Sequence, residues 1–311
     1  MTTLDNMVKI VLGADVGNEN IQLVTSMNDF IMKNKATIGE HIDTDLYTNT
    51  YNVIYKNKKY VIGDYAKNFI SKSEGKATES HLIGLLTSLA ATIKTNANIY
   101  IALGESMNLY KNQAHRLTIK NLFEGTHEIN VNGKDYIFNI KEVTVLPEGS
   151  GPRILRSSEV KGKTGYVLDI GSSTVNFAEY KGIAVIDGFA MSRGMHNIIS
   201  NIRSDFAQNN CGDFSDDKIK EFIEDVNILP DQERRDIVVN NIQTQLKLID
   251  SDLSAKNIKI DKLVDLEVIG GSALQLKEYI ARHYKNAKLT KDPLWANARA
   301  FYKFANSKYN R

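Results

Sequence analysis

Two hydrophobic runs end in an aspartate followed by a glycine turn: Ile10-Val11-Leu12-Gly13-Ala14-Asp15-Val16-Gly17-Asn18-Glu19-Asn20, and downstream Gly165-Tyr166-Val167-Leu168-Asp169-Ile170-Gly171-Ser172-Ser173-Thr174. A strand that closes in Asp-x-Gly and small polar residues can wrap a phosphate, because glycine brings amide N–H groups close to an anion with no Cβ in the way. The aspartate suits the divalent cation that accompanies a polyphosphate, held usually through water. One such hairpin is an ordinary tight turn in most proteins. Two of them, roughly 150 residues apart and so one domain length from each other, point to two related lobes sharing one nucleotide.

A third segment, Leu266-Glu267-Val268-Ile269-Gly270-Gly271-Ser272-Ala273, runs from an apolar strand through a double glycine into a helical pattern. Such a turn lets a flat ring and a ribose approach the backbone, and the helix N-terminus behind it favours negative charge. With these pieces in this order the chain resembles the actin, heat-shock chaperone and sugar kinase superfamily. Val145-Leu146-Pro147-Glu148-Gly149-Ser150-Gly151 resembles its interdomain connection, and Asp292-Pro293-Leu294-Trp295-Ala296-Asn297-Ala298-Arg299-Ala300 is similar to the closing Ala-Asn-Ala-Arg-Gly segment of bacterial plasmid-segregation actins of the ParM type.

The resemblance implies an α/β protein with the actin-like ATPase fold, two lobes with the nucleotide in the cleft between them. ATP, with GTP as the open alternative, would bind with Mg²⁺. Asp15, Gly17, Asn18 and Asn20 would contact the phosphates from one side, and Asp169, Gly171, Ser172, Ser173 and Thr174 from the other. Asp15 and Asp169 would hold the metal, Glu148 would orient or deprotonate the attacking water with Asp169 as the second catalytic group, and Gly270, Gly271 and Ser272 would line base and ribose, with Arg193 and Gly194 at the rim. One position departs from the family: plasmid actins commonly carry a lysine two residues after the asparagine of the first hairpin, where this chain has Gln22. A neutral amide cannot match the charge-assisted hydrogen bonds of an ammonium, so another basic residue must substitute or phosphate affinity falls. Glu19 adds negative charge nearby.

The elements that must position these residues follow from periodicity and punctuation. Residues 8 to 26 read as a hairpin centred on Gly17. Residues 30 to 60 are strand-rich, with 51–55 and 59–62 flanking the turn Lys56-Asn57-Lys58. Residues 78 to 94 read as a helix, with Leu82, Leu85, Leu86, Leu89 and Ile93 on one face. A buried strand over 98–103, a helix over 109–123 and a hairpin over 128–145 turning at Asn132-Gly133 lead straight to Glu148. Strands over 176–180 and 183–189, helices over 195–208, from 215, over 231–255, 272–284 and 293–308 complete the chain. The implied organisation is a first domain over 1–155, with a small upper subdomain near 30–70 and a returning C-terminal helix over 291–311, and a second domain over 156–290.

Other folds lack their signatures. Gly162-Lys163-Thr164 has the ending of a P-loop, but Ser157 stands where its first glycine belongs and a strand follows instead of a helix. No Gly-x-Gly-x-x-Gly opens a strand-to-helix turn. With 39 basic and 37 acidic residues the formal charge is +2, which gives no general attraction to nucleic acid or anionic lipid. The single cysteine, Cys211 in a polar Asn-Asn-Cys-Gly-Asp stretch, reads as inert, and with no visible secretory signal a cytoplasmic location is expected. The longest apolar stretch, 82 to 93, is too short and polar to span a bilayer.

The expected function is that of a nucleotide-hydrolysing filament protein, polymerising head to tail with itself and drawing on a DNA-binding adaptor at a plasmid centromere, without tight direct DNA binding and without a membrane. The alternatives are a small-molecule kinase of the sugar kinase branch and a nonpolymerising adaptor of the same superfamily.

Overall fold

A computed structural model describes residues 7–39, 41–44, 47–69 and 75–310. The chain divides into two compact units, one of Met1–Leu155 with Asn297–Arg311 and one of Arg156–Ala296.

The first unit opens with β1 (Val8–Val16), β2 (Asn20–Val24), β3 (Asp29–Lys33), β4 (Lys35–Ile38), β5 (Thr50–Tyr55), β6 (Lys58–Gly63) and β7 (Asn68–Phe69). Helix α1 (Glu79–Ile93) follows, then β8 (Ala97–Glu105), α2 (Met107–Tyr110), α3 (Gln113–Phe123), β9 (Gly125–Val131), β10 (Lys134–Pro147) and α4 (Gly151–Leu155). Its ten strands form one sheet in the order β3-β2-β1-β8-β10-β9-β5-β6-β4-β7. Helix α1 has the ends that its sequence calls for: Thr78 accepts a hydrogen bond from the His81 N–H, and Lys94 closes the helix in the left-handed region at φ 59°. The leucines of its apolar face are buried in the main core of this unit. Asn132 and Gly133 both take positive φ, 49° and 79°, as a two-residue hairpin turn demands. The helix expected over 109–123 breaks in two, because Asn112 takes an extended backbone and caps α3 by accepting from the His115 N–H.

The second unit contains β11 (Thr164–Ile170), β12 (Val175–Lys181), β13 (Ala184–Met191), α5 (Met195–Gln208), α6 (Asp216–Glu224), α7 (Gln232–Ser254), β14 (Leu266–Ile269), α8 (Gly271–Gln275), α9 (Lys277–His283) and β15 (Ala287–Leu289). Its sheet runs β13-β12-β11-β14-β15, and its core joins these strands to α5, α6 and α7. The expected helix over 272–284 is two pieces separated at Leu276, whose φ of −92° and ψ of 11° leave the helical region. Cys211 is not in a solvated loop: its side chain is buried, 3% exposed, in this core.

The pairing pattern repeats. In the first unit β3-β2-β1 are antiparallel and β1-β8-β10 parallel. In the second, β13-β12-β11 are antiparallel and β11-β14-β15 parallel. Asp15 is opposite Gln22 in one hairpin, and Asp169 is opposite Asn176 in the other.

The chain closes with α10 (Ala296–Tyr309), all but its first residue in the first unit. It lies very close to the sheet: a Cβ on Gly13 would sit 2.1 Å from the Tyr302 nitrogen and 2.4 Å from the Ala298 oxygen, and one on Gly104 would sit 2.7 Å from the Phe301 ring. Fully buried Ala298, Ala300 and Phe301 fill the seam, and Phe301 packs in a second apolar cluster with Val11, Ala102, Leu146 and Ile154.

Candidate functional site

In the first unit the C-terminal ends of three adjacent parallel strands bring three carboxylates together: Asp15 on β1, Glu105 at the end of β8 and Glu148 just after β10. The outer edge beyond such strand ends is where open α/β sheets bind ligands. Glu105 is paired across the ladder with Pro147, and its backbone oxygen accepts from the Glu148 N–H at 2.9 Å. The turn carrying Glu148 is also held from the C-terminal helix, since the Asn297 side-chain oxygen accepts from the Gly149 N–H at 3.3 Å. The Ala-Asn-Ala-Arg segment therefore has a structural account. Asn297 fixes the turn beside Glu148, the alanines allow close approach to β1, and Arg299 donates to Asp29 at 2.9 and 3.2 Å.

Among these carboxylates lies a lysine that sequence reasoning missed. Lys76 is 6% exposed, and its Nζ is 2.5 Å from Glu148 Oε1 and 3.2 Å from Asp15 Oδ1. Burial alone would lower its pKa, but Glu148, Asp15 and Glu105 outweigh that and raise it, so Lys76 remains an ammonium. Burial raises the pKa of Glu148, with the Asp15 and Glu105 charges adding to the rise and the Lys76 ammonium opposing it. Glu105 is fully buried and anchors the arrangement: it accepts from the backbone N–H of Lys76 at 3.0 Å and of Ser106 at 2.7 Å, and lies 2.9 Å from His115 Nε2.

The hairpin itself is braced by α1. His81, fully buried, places Nδ1 2.7 Å from Thr78 Oγ1 and Nε2 3.2 Å from Asn18 Oδ1. Burial first, and the Lys76 charge second, lower its pKa to about 4. A neutral ring donating from Nε2 to Asn18 and accepting from Thr78 satisfies both contacts. The Gly17 oxygen accepts from the Asn34 side chain at 2.7 Å, and Glu19 pairs with Lys33 at 3.0 Å, which offsets its charge. Gln22 is on β2 and 5% exposed, a neutral buried neighbour of Asp15.

The second unit builds its hairpin the same way. Asp169 is 5% exposed at the end of β11, and the Gly171 N–H donates to the Thr174 oxygen at 2.9 Å. The first turn of α5 sits on this hairpin: the N–H groups of Gly194, Met195 and His196 donate to the oxygens of Ser173, Gly171 and Ser172 at 3.3, 3.2 and 2.9 Å. His196 Nδ1 is 3.4 Å from Ser173 Oγ, so each unit sets a histidine from a helix N-terminus against its hairpin. A Cβ on Gly194 would meet the Ser172 oxygen at 2.4 Å, and Arg193 is committed to Asp252 at 2.8 and 3.3 Å. Glycine at 194 serves this internal contact.

The double-glycine turn also meets an internal packing requirement. Gly270 has φ +103°, and a Cβ there would lie 2.3 Å from the Ile170 oxygen and 2.7 Å from Asp169 Oδ1. Glycine is required at 270 because the turn packs directly on the end of β11, bringing Gly270 beside Asp169. Its N–H donates to the Pro293 oxygen at 3.0 Å.

Each unit has its own donors suited to a magnesium–nucleotide. In the first, Lys76 supplies a buried cation and Asp15 and Glu148 supply carboxylates; in the second, Asp169 supplies a carboxylate and Ser172, Ser173 and Thr174 supply hydroxyls. Among the described residues no cluster of three or more His, Cys, Asp or Glu side chains forms a metal cage. None of the described helices is long and apolar enough to cross a membrane.

Residues 13–151 match the family model described as actin like proteins N terminal domain. No curated protein matches the sequence. Solved structures match over nearly the whole chain. An archaeal actin homologue is 16% identical with a TM-score of 0.78, covering 96% of this chain and 99% of its own, and has also been solved in complex with ADP. A ParM from Clostridium botulinum, solved as a 15-stranded filament, is 17% identical with a TM-score of 0.76, covering 97% of this chain and 100% of its own. The psk41 ParM protein in its apo form is 15% identical with a TM-score of 0.70, covering 97% and 98%. The chain has the actin-like fold, and its segment 13–151 is similar to the actin-like N-terminal domain.

Proposed function

We propose that this actin-like chain hydrolyses ATP or GTP with Mg²⁺, that the bound triphosphate favours head-to-tail assembly with copies of itself, and that the filaments segregate plasmid DNA in the cytoplasm through a DNA-binding adaptor at a centromere. The observation that carries this reading is the repeated hairpin: Asp15 and Asp169 stand at equivalent register in the two units, each followed by a glycine turn, with Glu148 beside Asp15. The ParM structures of the same fold support the filament assignment by likeness. Head-to-tail contacts of one repeated kind that do not close into a ring generate open filaments.

The residues divide the work as follows. Gly17, Asn18 and Asn20, with Gly171, Ser172, Ser173 and Thr174, bind the phosphates. Asp15 and Asp169 hold Mg²⁺, which when bound neutralises phosphate charge. Glu148 orients the attacking water and takes its proton, so hydrolysis rests on placement and electrostatics. Gly270, Gly271 and Ser272 border the base and ribose.

The test is electron microscopy and light scattering of the purified protein with Mg-ATP, Mg-GTP, Mg-ADP and no nucleotide. Filaments with a triphosphate, above a critical concentration, are expected. A protein that stays monomeric at tens of micromolar, a concentration typical of weak association, while phosphorylating a sugar would be a kinase.

A further inference from the structure

Lys76 has an ammonium placed more firmly than ion pairing alone requires. Its side chain is pinned between Glu148 and Asp15 at 2.5 and 3.2 Å, and its backbone N–H is held separately by Glu105 at 3.0 Å. Glu105 in turn is committed to Ser106 N–H and His115. The cation is therefore positioned before any ligand arrives, the condition under which a fixed charge acts most strongly. Burying an ammonium is costly unless it is paired and hydrogen-bonded, and here the pairing comes from the two groups assigned to the metal and the attacking water.

We propose that Lys76 is the residue of the first unit that recognises the terminal phosphate of a bound nucleoside triphosphate, and so separates triphosphate from diphosphate. The inference rests on the nucleotide reading above and deepens it. A group that orients water for attack must lie next to the phosphorus being attacked, and Lys76 touches that group, Glu148, directly. The phosphate within its reach is thus the terminal one, which a diphosphate lacks. An ammonium carries three N–H donors, of which Glu148 and Asp15 engage two, leaving capacity for a phosphate oxygen. Gln22, across the ladder from Asp15, is neutral and supplies no alternative charge. Lys76 thus provides the cation that the first hairpin does not contain.

The experiment uses the full chain in a Glu148→Gln background, which slows hydrolysis and removes the carboxylate that loss of Lys76 would leave unpaired. Isothermal titration with Mg-ATP and with Mg-ADP compares this protein with one also carrying Lys76→Met. Loss of one charge-assisted hydrogen bond should weaken Mg-ATP binding about 10- to 100-fold, with Mg-ADP changed less than about threefold. An equal loss for both nucleotides, or no loss for Mg-ATP, overturns the proposal and returns Lys76 to a structural ion pair. Failure of the Glu148→Gln protein itself to bind either nucleotide, together with failure of the unaltered protein, refutes the nucleotide reading instead. Circular dichroism and melting check folding. Lys76→Gln, whose amide retains a hydrogen bond to Asp15, is read by the same criteria where the methionine variant does not fold.

Discussion

Acid should weaken the first unit through His81. This histidine is fully buried between Thr78 and Asn18, and its folded-state pKa is about 4 against an ordinary 6.5. Because the folded value is the lower one, the neutral ring's contribution to stability is complete above pH 6.5. It is lost progressively as pH falls toward 4, where the unfolded chain binds a proton that the folded chain refuses. At about 1.4 kcal/mol per pH unit that interval corresponds to about 3 kcal/mol. His127 is also held below its ordinary value by burial and acts in the same direction, so the measurement must be a difference. His81→Gln keeps a donor directed toward Asn18 and has no proton to gain. Hydrogen exchange read by mass spectrometry on peptides of α1 follows the first unit, while Trp295, the single tryptophan, reports the second unit by fluorescence in urea. The α1 protection of the unaltered protein should fall between pH 6.5 and 4.5 more steeply than that of His81→Gln, whereas the Trp295 transition should shift equally in both. Parallel pH profiles for α1 would refute the argument that His81 is buried neutral.

Four further outcomes are expected. Glu148→Ala should keep nucleotide binding and assembly yet lose about 100-fold or more in phosphate release, the scale of a positioned general base, and its filaments should persist; Asp169→Ala should weaken Mg-nucleotide binding and reduce assembly from the start, and normal binding would remove Asp169 from the site. Gly270→Ala combines a φ of +103° with a Cβ 2.3 Å from the Ile170 oxygen, so it should destabilise the second unit by at least the ~1–3 kcal/mol of a strained backbone position, seen as a lower urea midpoint at Trp295. Phe301→Ala empties a fully buried site between α10 and the sheet and should cost about 3–5 kcal/mol, read as faster exchange of α10 and β1, with near-normal exchange indicating that the helix contributes little to the unit.

The sequence by itself determined what is local. Alternating apolar runs, the Asp-x-Gly and Asn-Gly turns and the capped leucine-rich helix fixed most strands and helices, because each depends on neighbours a few residues away. The actin-like fold was legible in the same way, from hairpins and a double-glycine turn in a fixed order. The breaks at Asn112 and Leu276 were hidden inside continuous helical periodicity. What only the tertiary structure decided is the company each polar group keeps. Lys76 reads in sequence as one charge in a polar stretch, since nothing within ten residues signals that Asp15, Glu105 and Glu148 surround it. They meet because β1, β8 and β10 are parallel neighbours, joined by chain segments of many residues. His81 likewise looks like one more residue on an apolar helix until the hairpin carrying Asn18 is laid against it. Gly270, expected to line base and ribose, also has a role visible only in the fold: its missing Cβ makes room for the end of β11, a contact about 100 residues away in sequence and set by the β11–β14 register. Long-range contacts of this kind come from sheet order, and sheet order is a property of the whole chain's packing.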